Sequence, residues 1–182
     1  MTTYISILRG INVSGQRKIL MADLKKTYEK LGFSNVATYI QSGNVVFSSG
    51  IGLTCQEIAK IIGNQIQEHY GFEVPVIVRT LEEMKITLSR NPFLHLPDID
   101  QERLHVTFLS ELPLKSNVEK IIALEFPPDR FTIIENDVYL YCPVSYGNTK
   151  LSNKFFESKL KVTATTRNWA TVRKLVEMGK GM

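Results

Sequence analysis

The sequence predicts an α+β protein made of two tandem ferredoxin-like (βαββαβ) halves plus a C-terminal helix. Three observations predict it. Short β-branched and aromatic runs alternate with stretches whose apolar residues recur at helical spacing. Capping-box and glycine signals bracket those helical stretches. The order β-α-β-β-α-β, read once over residues 1–80, is then read again after residue 104, as element order and not as sequence identity.

In the first half, Tyr4-Ile5-Ser6-Ile7-Leu8 reads as a strand and is followed by a glycine-bearing loop. A helix starts at Met21, with Met21, Leu24, Tyr28 and Leu31 on one face and Gly32 closing it. Runs 36–40 and 45–48 form a hairpin about Gln41-Ser42-Gly43-Asn44. Thr54-Cys55-Gln56-Glu57 is a capping box, and Ile58, Ile61, Ile62, Ile66 and Tyr70 make the stripe of the helix behind it. Gly71 stops that helix, and residues 75–79 make the last strand.

Residues 81–103 are expected to be a bridging helix, capped by Thr80 and Glu83, and a proline-bearing linker. The second half, residues 104–182, is expected to open with a strand at 104–109. A helix from Ser116 to just before Pro127 follows, then strands 131–135 and 138–142 about an Asn136-Asp137 turn. Next come a helix from about Ser152 through Leu160, a short extended piece at 162–165, and a terminal helix over 167–178. Trp169, Val172, Leu175 and Val176 form the buried stripe of that last helix.

A chain of 182 residues with 43% apolar content can bury a core without staples. Cys55 and Cys142 lie in unrelated contexts and suggest neither a disulfide framework nor a metal cluster. With no signal-peptide pattern at the N-terminus and no apolar run of spanning length, a reduced cytoplasmic setting is expected, without a membrane partner. Charge is unevenly placed. Residues 9–30 carry a net +4 and residues 150–182 a net +6, against −6 between them. Such basic ends attract anions, and they also serve solubility.

Three polar clusters sit where the backbone turns after an apolar run: Arg9-Gly10-Ile11-Asn12, Gln41-Ser42-Gly43-Asn44 and Thr165-Thr166-Arg167-Asn168. Because the first and second strands of such a sheet run parallel, the first two clusters are expected to share one edge. Candidate ligand-binding residues are Arg9, Asn12, Ser42 and Asn44, with Arg167 and Asn168 from the second half. Arg9 offers a planar fork to carboxylate or phosphate, and backbone near Gly10 and Gly15 can face an anion. Each has a plainer reading: Arg9 paired with a carboxylate such as Asp23, Asn12 capping a turn, Ser42 to Asn44 as turn chemistry, Arg167 held by an acidic neighbour.

A small anionic ligand is the favoured partner. Nucleic acid bound by the basic termini, through Arg17, Lys18, Lys25 and Lys26, is the second reading, and a non-catalytic assembly module is the third. The Gly10-to-Gly15 spacing is not a phosphate loop, since Gln16-Arg17 stands where Lys and Ser/Thr are required. His69, His95 and His105 lack metal-ligand spacing, and Ser42 lacks a nucleophile-elbow context. Asp98, Asp100 and Glu102 read as a solvated linker. No catalytic residue, metal, cofactor or oligomeric state is named by these residues.

Taken together, Leu8-Arg9-Gly10-Ile11-Asn12-Val13, Met21-Ala22-Asp23-Leu24, the run from Thr38 to Phe47 and Thr165-Thr166-Arg167-Asn168-Trp169 resemble the domain-of-unknown-function 1697 family. The resemblance implies a bacterial protein of tandem ferredoxin-like parts and brings no substrate and no catalytic residues. Two positions depart from the family's usual pattern: Ser14 where a second glycine is common, and Ala170 where asparagine is common.

Overall fold

The computed structural model describes residues 1–182. It contains two four-stranded antiparallel sheets and six α-helices. Contacts divide it into two compact units: Met1–Lys85 with Lys174–Met182, and Ile86–Arg173. No helix is long and apolar enough to cross a membrane.

The first unit runs β1 (Thr2–Leu8), α1 (Met21–Lys30), β2 (Ser34–Tyr39), β3 (Asn44–Ser49), α2 (Cys55–Tyr70) and β4 (Val76–Thr80), with strand order β2-β3-β1-β4. Both β1 and β2 are antiparallel to β3, so they run parallel to each other and their C-terminal ends share one edge. Alternation along β1 sends Tyr4 and Leu8 into the core that packs against Leu24, Tyr28, Ile58, Ile62 and Ile66. Fully burying each of those isoleucines contributes roughly 1.5–3 kcal/mol, an upper figure because unfolded chains already bury some surface. Phe47 anchors this layer, with ring centroids 4.6 Å from Phe33 and 5.3 Å, edge-on, from Tyr28.

The helix ends follow their expected chemistry. Thr54 and Glu57 form a reciprocal capping box, and Gly71 closes α2 at φ 78°. Thr80 and Glu83 do the same for α3 (Leu81–Ser89): Thr80 N donates to Glu83 Oε2 at 2.7 Å, and Glu83 N donates to Thr80 Oγ1 at 3.2 Å.

The second unit contains β5 (Leu104–Leu109), α4 (Lys115–Glu119), β6 (Arg130–Ile134), β7 (Asp137–Tyr141), α5 (Asn153–Leu160) and β8 (Ala164–Asn168), with strand order β6-β7-β5-β8. The last helix, α6 (Trp169–Lys180), begins in this unit and ends in the first. Leu109, Val138 and Leu140 pack with Ile121, Phe156 and Leu160. Corresponding hydrogen bonds recur in the two units. Leu8 N donates to Gly43 O at 2.8 Å, as Leu109 N does to Asn136 O at 2.9 Å; Arg9 N donates to Pro75 O at 3.0 Å, as Ser110 N does to Thr163 O at 2.8 Å.

Three expectations need correction. The helix expected from Ser116 to Pro127 is one short α-helical stretch, after which Leu124 N donates to Ile121 O, three residues back, at 3.0 Å. Val118 and Ile121 pack on the core there, while Ile122 and Leu124 stay exposed, so extending the helix past Ile121 would bury no further apolar face. The hairpin turn, residues 135–136, lies one residue earlier than expected. Glu135 takes the left-handed conformation at φ 55°, and Asp137 pairs with Ile134 as the first residue of β7. Finally, Arg167 and Asn168 are strand residues rather than the first helical turn, because β8 stays paired with β5 out to His105 opposite Asn168. Asn168 caps α6 from outside, its Oδ1 accepting from Thr171 N at 2.8 Å.

Candidate functional site

The loop after β1 and the hairpin bend between β2 and β3 meet on one rim of the first sheet. Asn12 is the staple. Its Nδ2 donates to Ile19 O and to Gln41 O, each at 2.9 Å, and its Oδ1 accepts from Ile19 N at 2.9 Å. One amide therefore closes the 12–19 loop on itself and ties it to the hairpin. Gly43 makes the second joint: it is buried, and a Cβ there would lie 2.7 Å from Leu8 Cβ and 2.8 Å from Ile11 Cδ1.

The loop backbone is held in an uncommon form. Gly10, Asn12, Ser14, Gly15 and Arg17 all have positive φ, between 47° and 75°. Three of these are not glycine, and each carries a cost of order 1 kcal/mol that surrounding contacts must offset. Left-handed residues alternating with ordinary ones form the backbone pattern of anion-binding concavities. The N–H groups of Gly10 and Gly15 make no hydrogen bond within the protein. At Ser14 the strain is relieved most simply. Ser14→Gly is expected to stabilise the protein by about 0.5–1 kcal/mol, since φ 50° costs glycine nothing, and a urea midpoint measures it. No gain would show that the hydroxymethyl group has a compensating contact in solution.

The side chains of this rim divide into two sets. Asn44 is fully buried, and its Nδ2 donates to Tyr39 O at 3.1 Å and to Ser42 Oγ at 3.0 Å, which fixes the bend and orients the Ser42 hydroxyl. With Asn12 it forms the frame. Arg9 is half-buried, and Gln16, Arg17 and Lys18 are exposed. Arg17 reaches over Gly10, where a Cβ would come 3.3 Å from its Nη1. Neither Arg17 nor Lys18 forms an ion pair, and Asp23 lies near Lys26 at 3.9 Å. In the sequence, Arg17 and Lys18 read as nucleic-acid contacts, although loop cations beside glycines also signal this rim.

The third polar cluster lies in the second unit. Thr166 Oγ1 donates to Asn153 Oδ1 at 2.7 Å, so Thr107 is the donor in its 2.7 Å contact with Thr166. Arg167 Nη1 donates to Thr166 O at 2.9 Å. Burial lowers its pKa to about 10, partly countered by the Tyr146 phenol, and the group stays cationic at neutral pH. His105 stacks on Tyr146 with centroids 4.6 Å apart, and burial holds its pKa below the usual histidine range. This pair was not foreseen, because nothing in the sequence links residues so far apart.

Nucleophilic chemistry has little to work with here. Cys55 and Cys142 are free thiols, each pushed up to about 11, chiefly by burial, so both stay protonated near neutral pH. No group of three or more His, Cys, Asp or Glu side chains is arranged to hold a metal ion.

A family model described as "Protein of unknown function (DUF1697)" matches residues 1–139. Among solved structures, the chain is similar to the conserved bacterial protein SP0830 from Streptococcus pneumoniae. The two are 25% identical with a TM-score of 0.77, and the match covers 98% of each chain. No curated protein matches.

Proposed function

The chain belongs to the DUF1697 family, a family of unknown function, and from that premise we propose that it binds a small phosphate- or carboxylate-bearing ligand on the rim formed by residues 9–18 and 41–44. One observation carries the reading. The loop is stapled by Asn12 in a left-handed conformation and presents two cations without carboxylate partners, Arg17 and Lys18, beside unbonded N–H groups. A loop with only a connecting role gains nothing from that strain, whereas a bound anion offsets it. Arg9 and Ser42 supply further donors in this reading, while Asn12 and Asn44 hold the frame. Arg167 and Asn168 are assigned to the second unit's own polar cluster.

The element order and strand order of each unit support reading the protein as tandem ferredoxin-like halves. In the first half this topology gives the rim its place, since loops leaving parallel strands open on the same edge.

The test is a binding titration. Arg17→Ala combined with Lys18→Ala is expected to weaken phosphate or anionic-metabolite binding at least ten-fold while leaving the melting temperature within about 2 °C, as exposed side chains usually do. Affinity unchanged in the double variant removes the proposal. Nucleic-acid binding lost in that variant with small-anion affinity unchanged would instead favour polyanion attraction by the basic termini.

A further inference from the structure

Of the edge strands β2 and β6, each paired to its sheet through a hairpin, β6 is the less interrupted. The β2 edge is broken by a register shift between Ser34 and Ala37, with Asn35 at φ 51°. By contrast, β6 pairs with β7 in unbroken register from Arg130 to Ile134, and no proline or lysine interrupts Phe131-Thr132-Ile133-Ile134. A groove of about 410 Å³ runs beside it, lined by Ile122, Leu124, Phe126, Phe131 and the Pro127-Pro128 pair. Ile122 is 58% exposed and Leu124 41%. A bare strand edge beside uncovered apolar side chains is a template for another strand.

The strand's own sequence says which. In a two-residue hairpin the closing pair, Ile134 with Asp137, is hydrogen-bonded, so the bonds to β7 alternate back through Thr132 and Arg130. The N–H and C=O groups of Phe131 and Ile133 therefore point outward. Placing a two-fold axis at Thr132 sets Phe131 opposite Ile133 of a second copy, so the outward groups meet in hydrogen-bonded pairs. The same operation brings Arg130, exposed and without an ion pair, within reach of the second copy's Glu135, twice over. Glu135 already holds Arg90 at 2.8 Å, and its other oxygen can accept Arg130.

From this apolar centre with complementary charged ends we infer that β6 pairs antiparallel with β6 of a second copy of this chain, joining two four-stranded sheets into one of eight strands. The apolar side chains beside the edge are then covered by their symmetry mates.

Sedimentation equilibrium over a wide concentration range tests this, with a mass rising to about twice 20.7 kDa as the expected result. The axis places residue 132 opposite itself. Thr132→Lys sets two like charges face to face and should return the protein to a monomer with its circular dichroism unchanged. Thr132→Cys in a Cys55→Ser background should form a reducible crosslinked dimer, a readout that stands even if the lysine variant folds poorly. A strictly monomeric wild-type protein overturns the inference. So does a dimer that Thr132→Lys leaves intact and Thr132→Cys fails to crosslink.

Discussion

Gly43→Ala is expected to destabilise the protein by about 2–4 kcal/mol, combining the left-handed penalty with overpacking of a closed site. The residue sits at φ 83°, and the added methyl would fall 2.7 Å from Leu8 Cβ, on the strand that carries the candidate loop. Leu8 Cβ is anchored to its backbone and cannot rotate away, so the β1 end and the hairpin bend must separate. The hydrogen bond from Leu8 N to Gly43 O, 2.8 Å long, lies in the same joint and would lengthen with them. Urea unfolding gives the cost, and loss of ligand binding should accompany it even below the melting transition. A change under 1 kcal/mol would mean that the two bends do not press together as described.

Asn12→Ala should follow closely, at about 2–3 kcal/mol, through the loss of three hydrogen bonds. Alanine also tolerates φ 55° less well than asparagine does. Asn12→Gly separates the two effects. Glycine restores the backbone but not the staple, so it should recover part of the stability and none of the link to Gln41. Backbone amide exchange at Ile19, whose N–H then lacks its Oδ1 acceptor, reports the staple directly. Protection at Ile19 unchanged in both variants would show that the amide is not what holds the loop.

The β-α-β-β-α-β order was legible because each signal is local: β-branched runs, two capping boxes and glycines at helix ends. From that order alone, the parallel direction of β1 and β2 puts residues 9–18 and 41–44 on one edge, and the Asn12-to-Gln41 bond is its physical expression. What eluded the sequence was decided at longer range. The helix expected after Ser116 has the right cap residues, yet of its apolar residues Val118 and Ile121 meet a core while Ile122 and Leu124 face solvent. Thr165 to Asn168 reads as a helix start by local chemistry, but pairing with β5 keeps the chain extended until Trp169.

The same limit applied to the site. Asn12 and Asn44 look like ligand donors in a list of residues, since an amide in a loop has no visible partner in one dimension. Folded, Asn12 Nδ2 donates to Ile19 O in its own loop and across to Gln41 O, Asn44 Nδ2 donates to Tyr39 O and Ser42 Oγ within the hairpin bend, and these bonds hold the two bends in shape. Arg17, which in the sequence reads as a nucleic-acid contact, is the side chain that reaches over Gly10.

Phosphate titrated into the ¹⁵N-labelled protein while amide shifts are followed asks directly whether the first loop and the first hairpin make an anion receptor. Saturable movement of the Gly10, Gly15, Lys18 and Gly43 signals, absent when Arg17 and Lys18 are both alanine, is the expected outcome. Shifts confined to the basic α6, or none at concentrations where phosphate binds ordinary basic surfaces, would contradict it.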